Sequence, residues 1–371
     1  MHITFHGDQH FSHKSHSYLQ QSMIIALQNL GHKVTVCLPT DRDKFNKKNP
    51  IHRRIMDTVS NKDIYTDYNI WKTGRAKDFR KAETGHKFDT QIHCDGHYIL
   101  SPRKIDEFIK DISFNYFMTI GIDNAKTLSK QLQKPTYGFY NTSVDTNVFD
   151  INKIEPHDYK VNDKFIFLMV AQNTFLPSFT LRGVDIALKT FTEEFKQNEP
   201  VMLILKIGNI KENLLKTSKK FNHVKYITGN LSQKEIASYY RSADCMLSPI
   251  RGAMWETQIM EAMVLETPAI ATDAGGPHIY IKNEENGFLI NYEWVAYNNG
   301  DRKEETFPGE IWKEINQKQL KKKMRYVFEN RDMLKNMGKK ASVHIKENYN
   351  SKIIAQKLVD FFNGSKEFIY E

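Results

Sequence analysis

The chain has 371 residues, room for two or three domains at about 100–200 residues each, and its 40% hydrophobic and 12% aromatic content excludes a disordered polymer. Lys plus Arg number 53 against 44 Asp plus Glu, a net charge of +9; this suits a polyanionic partner, and equally base-composition drift in a chain rich in Lys, Asn and Ile. Three scattered cysteines (Cys37, Cys94, Cys245) without CxxC spacing argue against a disulfide framework or cysteine zinc site, and no signal peptide or membrane-spanning run is apparent, so a soluble cytoplasmic protein is expected.

Residues 2–6 (HITFH) read as a strand broken by Gly7-Asp8. Leu19, Met23, Ala26, Leu27 and Leu30 share one helical face, Gly31-His32 ends that helix, and 33–38 (KVTVCL) is the next strand. This βαβ opening predicts a parallel, doubly wound sheet. The polar stretch 39–85 reads as loops and short helices. Strands are expected at 88–93, 116–120 and 136–140, with helices near 103–112 and 123–132 between them. A charged, Pro-containing connection at 151–163 marks the domain boundary. Beyond it the rhythm repeats: strand 165–170, helix 184–195, strands 201–207 and 224–228, and a helix opened by the capping box Ser232/Glu235. Strand 245–248, helix 257–265, strands 269–272 and 287–290, a basic helical segment 317–337 and an amphipathic helix 352–362 complete the chain. Two such α/β units predict an architecture of two Rossmann-like doubly wound domains facing across a cleft, with ligands at the carboxyl ends of the strands.

The most informative stretch runs from Ser248 to Gly276, SPIRGAMWETQIMEAMVLETPAIATDAGG. With Asp244, Leu181-Arg182-Gly183-Val184-Asp185 and Ser143-Val144-Asp145-Thr146-Asn147-Val148-Phe149, it resembles the donor-site signature of family 4 retaining glycosyltransferases, which have the GT-B fold. In the N-terminal half only Gly31-His32-Lys33-Val34-Thr35-Val36 matches well. The resemblance implies an acceptor-binding domain over 1–150, a nucleotide-sugar domain over 151–345, and a helix in 346–371 returning to the first domain. It implies transfer of a hexose from a nucleotide-diphosphate sugar, UDP or GDP, to a glycan or lipid-linked acceptor, with no separate cofactor and no metal. With a glycan or lipid-linked acceptor the basic N-domain (Lys47-Lys48, Arg53-Arg54) would rest peripherally on anionic membrane at the inner face; a modified-DNA acceptor, as in phage base glucosylation, is the alternative.

Physical chemistry supplies roles for these residues. A Glu261 carboxylate can accept both hydroxyls of a ribose. Backbone N–H groups from Trp255, Glu256, Thr257 and Gln258 at a helix start can cradle a diphosphate. Arg182 and Lys206 are candidate cations, and Lys206, breaking the apolar run VMLILKIG, needs a partner. Gly275-Gly276 permits close backbone approach beyond a strand end. The sequence departs from the family at Ala253, where the first motif Glu stands; at Met254 and Glu256, where glycines stand; at Gln258, in place of Pro; and at Gln172, in place of Arg. Glu256 is the candidate substitute carboxylate, and the loss at Ala253 leaves a catalytically silent nucleotide-sugar-binding module as a further reading. The loop containing Gly7, His6, His10, His13 and His16 follows the first strand; it reads as a phosphate or sugar contact, or as a metal site from the helical spacing of the last three. The resemblance makes His93 the candidate catalytic histidine, with His97 and Asp95 beside it.

Overall fold

The computed structural model describes residues 2–6, 14–38, 53, 57, 64–66, 90–95, 116–119, 136–138, 143–158, 164–171, 178–208, 220–252, 255–296 and 311–363. The chain divides into two units, Met1–Asp145 with Tyr349–Glu371, and Thr146–Asn348.

In the first unit, β1 (His2–His6), β2 (Lys33–Leu38), β3 (Ile64–Thr66), β4 (Thr90–Asp95), β5 (Tyr116–Thr119) and β6 (Thr136–Gly138) form one parallel sheet in the order β3-β2-β1-β4-β5-β6. Helix α1 (Lys14–Asn29) joins β1 to β2 and buries Met23, Ala26 and Leu27 of the face the periodicity selects, with Ile24 beside them. It closes at Gly31, whose N–H reaches the Gln28 carbonyl at 2.9 Å while His32 N–H reaches Leu27 at 3.1 Å. Strand β3 lies inside the stretch read as loops and short helices; three residues paired to β2 are too few to show a period. Strand β4 falls two residues later than the expected 88–93, so His93 lies within the strand and pairs in register with His6. The helices expected near 103–112 and 123–132 lie outside the described residues.

The second unit carries β7 (Phe165–Ala171), α2 (Ser178–Leu181), α3 (Val184–Glu194), β8 (Val201–Ile207), β9 (Val224–Ile227), α4 (Gln233–Ser242), β10 (Cys245–Ser248), α5 (Thr257–Val264), β11 (Ala269–Thr272), α6 (Gly276–Tyr280) and β12 (Phe288–Ile290). Its parallel sheet runs β12-β11-β10-β7-β8-β9, the doubly wound order of the first sheet counted from the opposite edge. Strands β7, β8, β10 and β11 are apolar without alternation and almost wholly buried, as a parallel sheet covered on both faces requires. Phe165, Phe167, Phe191 and Phe195 fill the space between β7 and α3, with ring centroids 4.7–6.2 Å apart. The capping box of α4 is complete: Glu235 N–H donates to Ser232 Oγ at 3.2 Å and Ser232 N–H to Glu235 Oε2 at 2.6 Å.

Two features depart from expectation. An antiparallel hairpin, β13 (Tyr292–Ala296) with β14 (Ile311–Ile315), follows β12. The basic segment is two helices, α7 (Gln317–Glu329) and α8 (Arg331–Asn348), divided at Asn330. Three of the five cations of α7 are paired: Lys321 with Glu193, Lys323 with Glu284, and Arg325 with Glu194 and Glu199. The final helix, α9 (Ser351–Phe362), packs on α1 and buries Ile354, Ala355, Leu358 and Val359. Burial of Ile354, Leu358 and Val359 contributes roughly 1.5–3 kcal/mol each. Its entry is tied to the first unit by Val144 N–H donating to Tyr349 O at 2.9 Å and by Ser143 Oγ and Ser351 Oγ, 3.0 Å apart. Among the described residues no helix is long and apolar enough to cross a membrane.

Candidate functional site

In the second sheet the winding reverses between β7 and β10, the place where doubly wound sheets receive ligands. Two backbone segments meet there. The turn joining α2 to α3 presents the Leu181 carbonyl, which accepts from Arg251 N–H at 2.9 Å and Gly252 N–H at 3.1 Å, both in the loop that follows β10. Gly183 makes the approach possible: its φ is 71°, and a Cβ there would stand 1.8 Å from the Pro249 carbonyl oxygen.

Between these anchors Arg182 projects toward Glu256. Arg182 Nη1 donates to Glu256 Oε1 at 2.6 Å. The carboxylate is buried, its side chain 2% exposed, and Oε2 also accepts from Ser248 Oγ at 3.1 Å and from Gln258 Nε2. Burial pushes the Glu256 carboxyl above the ordinary range, while Arg182 and Ser248 pull it back. Its backbone is left-handed, φ 56° and ψ 58°, directly before α5. A side chain in that region carries strain, and here three hydrogen-bond donors converge on it. The Arg182 side chain is 38% exposed, and among the described residues its Nε and Nη2 have no partner. The guanidinium is thus aimed by one edge and open at the other, a form that suits bidentate binding of a phosphate.

The remaining sequence-selected residues fall around this pair. Trp255 is buried, its indole N–H on Met260 Sδ at 3.0 Å, and Tyr280 Oη donates to the Trp255 and Glu256 carbonyls, both at 3.0 Å. Gly276 lets α6 approach: a Cβ there would lie 2.3 Å from the Trp255 carbonyl oxygen. Thr257 and Gln258 open α5, so their backbone N–H groups lie in its first turn. Glu261, one turn on, is half-buried; its Oε2 accepts from Tyr240 Oη at 3.1 Å, and burial pushes its carboxyl up to about 7 against that hydrogen bond. Lys206, near the carboxyl end of β8, is buried and donates to the Gly229 carbonyl at 2.7 Å, the partner its apolar setting demands.

His93 belongs to the other unit, where it and His6 stand at the corresponding reversal between β1 and β4. Asp95 closes β4. Gly7, His10, His13, His97, Lys47, Lys48, Arg54, Gln172, Ala253 and Met254 lie outside the described residues.

Sequence reasoning missed Arg251 and Ser248. Arg251 is 6% exposed. Its Nη1 donates to Thr180 O at 2.8 Å and to Asp185 Oδ1 at 2.9 Å, and its Nε and Nη2 grip Glu314 at 3.1 and 3.3 Å. Asp185 and Glu314 are 66 and 63 residues away, so no local pattern announces the cluster. Ser248, closing an apolar strand just before the loop, was visible as its one polar residue.

Two parallel sheets of this winding define the GT-B class of fold. Comparison with known proteins agrees. Residues 172–297, which hold the turn, the loop and α5, match the family model described as "Glycosyl transferases group 1". An uncharacterized glycosyltransferase of Methanocaldococcus jannaschii is 22% identical over 208 residues, 51% of this chain and 51% of that protein. The chain thus spans about half the length of the curated relative it matches. Among solved structures, a glycosyltransferase from Rickettsia africae superposes with a TM-score of 0.69 at 13% identity, covering 98% of this chain and 97% of that one. Anabaena Alr3699/HepE, solved with UDP, gives 0.66 at 16% identity, covering 98% and 100%.

Proposed function

We propose that the chain is a retaining glycosyltransferase that moves a hexose from a nucleotide-diphosphate sugar to a glycan or lipid-linked acceptor. The carrying observation is Arg182: a guanidinium fixed on one edge by a buried carboxylate and open on the other, next to the first turn of α5. A departing diphosphate gains negative charge as the glycosidic bond breaks, and preorganised donors of this kind stabilise it without reorganising. The amides of Thr257 and Gln258 add N–H groups to the same anion. Glu261 accepts the ribose hydroxyls, and Lys206 supplies a second cation at the same end of the sheet. Glu256 serves as the residue that orients Arg182, since both of its oxygens are occupied. On the first unit, His93 is the candidate catalytic histidine. The UDP-bound state of Alr3699/HepE, which shares the fold, supports a uridine nucleotide as the first ligand to test.

One observation favours a second reading. The Glu256 carboxylate is buried and spent on Arg182, Ser248 and Gln258, so it does not replace the carboxylate that Ala253 lacks. A nucleotide-sugar-binding module without turnover fits that arrangement. Thermal-shift and calorimetric titration with UDP, GDP, ADP and their glucose conjugates separates the readings. Binding with slow donor hydrolysis supports the transferase, and binding with neither hydrolysis nor transfer to a broad acceptor panel supports the module. No binding of any nucleotide would overturn both.

A further inference from the structure

We propose that Arg251 is a positioning residue for Arg182, and that the β13–β14 hairpin is part of the device through Glu314. This rests on the nucleotide-sugar reading of the site.

Arg251 holds the chain on both sides of Arg182. Upstream, its Nη1 and backbone N–H take the carbonyls of Thr180 and Leu181; downstream, Nη1 takes the Asp185 carboxylate in the first turn of α3. Arg182 and Gly183 lie between these anchors, and Gly183 packs closely on the Pro249 carbonyl. Through its own backbone Arg251 belongs to the loop that delivers Glu256 five residues later. One side chain therefore sets the spacing of the two segments that the Arg182–Glu256 bond must bridge.

The hairpin supplies the third contact. Glu314 faces Glu293 across the strands, a like-charged pair that weakens an isolated hairpin. The fork of Arg251 offsets that repulsion at Glu314, and Glu314 supplies a second carboxylate to the buried cation. A lysine carries the same charge but has no planar fork, so it cannot hold Thr180, Asp185 and Glu314 together. Displacement of the hairpin therefore loosens the guanidinium that aims Arg182.

A double-mutant cycle read in UDP affinity tests this. Arg251→Lys is expected to weaken UDP binding about tenfold in the parent and less than twofold in an Arg182→Ala background, because Arg251 acts through Arg182. Equal loss in both backgrounds would overturn the positioning role and make Arg251 a general stabiliser. Should Arg251→Lys fail to fold by circular dichroism, Glu314→Gln runs the same cycle with the same two outcomes. Unmeasurable UDP binding by the parent would overturn the donor-site reading, and this proposal with it.

Discussion

Replacing Gly183 by alanine probes the close approach on which the site depends. At φ 71° a residue with a Cβ pays about 1–2 kcal/mol. The new carbon would also stand 1.8 Å from the Pro249 carbonyl oxygen, far inside contact distance, and the obstruction is backbone that cannot rotate away. Forcing a methyl into such packing costs about 1–3 kcal/mol, so the two effects together reach roughly 2–5 kcal/mol. For a unit the size of Thr146–Asn348, each kcal/mol lowers the melting temperature by about 2–4 °C, so a fall of roughly 4–20 °C is expected. Gly229→Ala is the internal control: its φ of 86° carries the same backbone penalty, but nothing lies within 4 Å of the added Cβ. Calorimetric melts of the two variants should differ by the packing contribution alone, and Gly183→Ala should also bind UDP more weakly because the turn no longer meets the loop. Equal melting temperatures for the two variants would refute the reasoning.

Three pH effects follow from two groups displaced from their ordinary ranges. Glu261 is held up to about 7, and the ribose contact uses its ionised form, so UDP affinity should rise as pH goes from 6 to 8 and level off above; a flat profile, or the same profile in Glu261→Gln, would contradict this. For stability the sign is opposite: the folded state binds this proton more tightly than the unfolded chain, so Glu261 favours folding at low pH and that contribution is lost as pH rises through about 7. Melts at pH 5 and pH 8 should show Glu261→Gln gaining on the parent at the higher pH. His223 behaves in reverse. It is buried against Phe191 and Phe221 with Nε2 at the Phe195 carbonyl, and burial lowers its proton affinity, so stability should fall as pH drops below about 6.5. His223→Gln, which cannot titrate, should flatten that acid limb.

The parallel sheets were legible because parallel strands leave a strong trace. FIFLMVA is a continuous apolar run and VMLILKI is one broken only by Lys206, as a covered sheet requires, while Gly31, Ser232 and Glu235 punctuate helices of the two units by local backbone chemistry. The hairpin left no such trace. Its strands are separated by residues 297–310, they place Glu293 opposite Glu314, and Trp294 is 55% exposed, so neither a tight turn nor a clean apolar face marks them. The division of the basic helix at Asn330 was hidden for a related reason: asparagine is only weakly disfavoured in helices. Within the site, Arg182, Glu256 and Glu261 stood out through a contiguous pattern. The residues that hold them did not, because Tyr240 meets Glu261 across 21 residues and Arg251 grips Asp185 and Glu314 across 66 and 63, distances at which sequence carries no geometric information.

The division of the chain has a consequence for the order in which it is made. The second unit is one uninterrupted segment, Thr146–Asn348, whereas the first is completed only by Tyr349–Glu371. On the ribosome, residues 1–145 emerge without the helix that packs on α1, and they wait while more than half of the polypeptide is synthesised. Domains generally fold as units during synthesis at about 5–20 residues per second, so that interval is roughly 10–40 s. The unit that begins first therefore finishes last, and until α9 arrives the side of α1 on which it packs stays uncovered, the transient exposure that makes incomplete domains prone to aggregate.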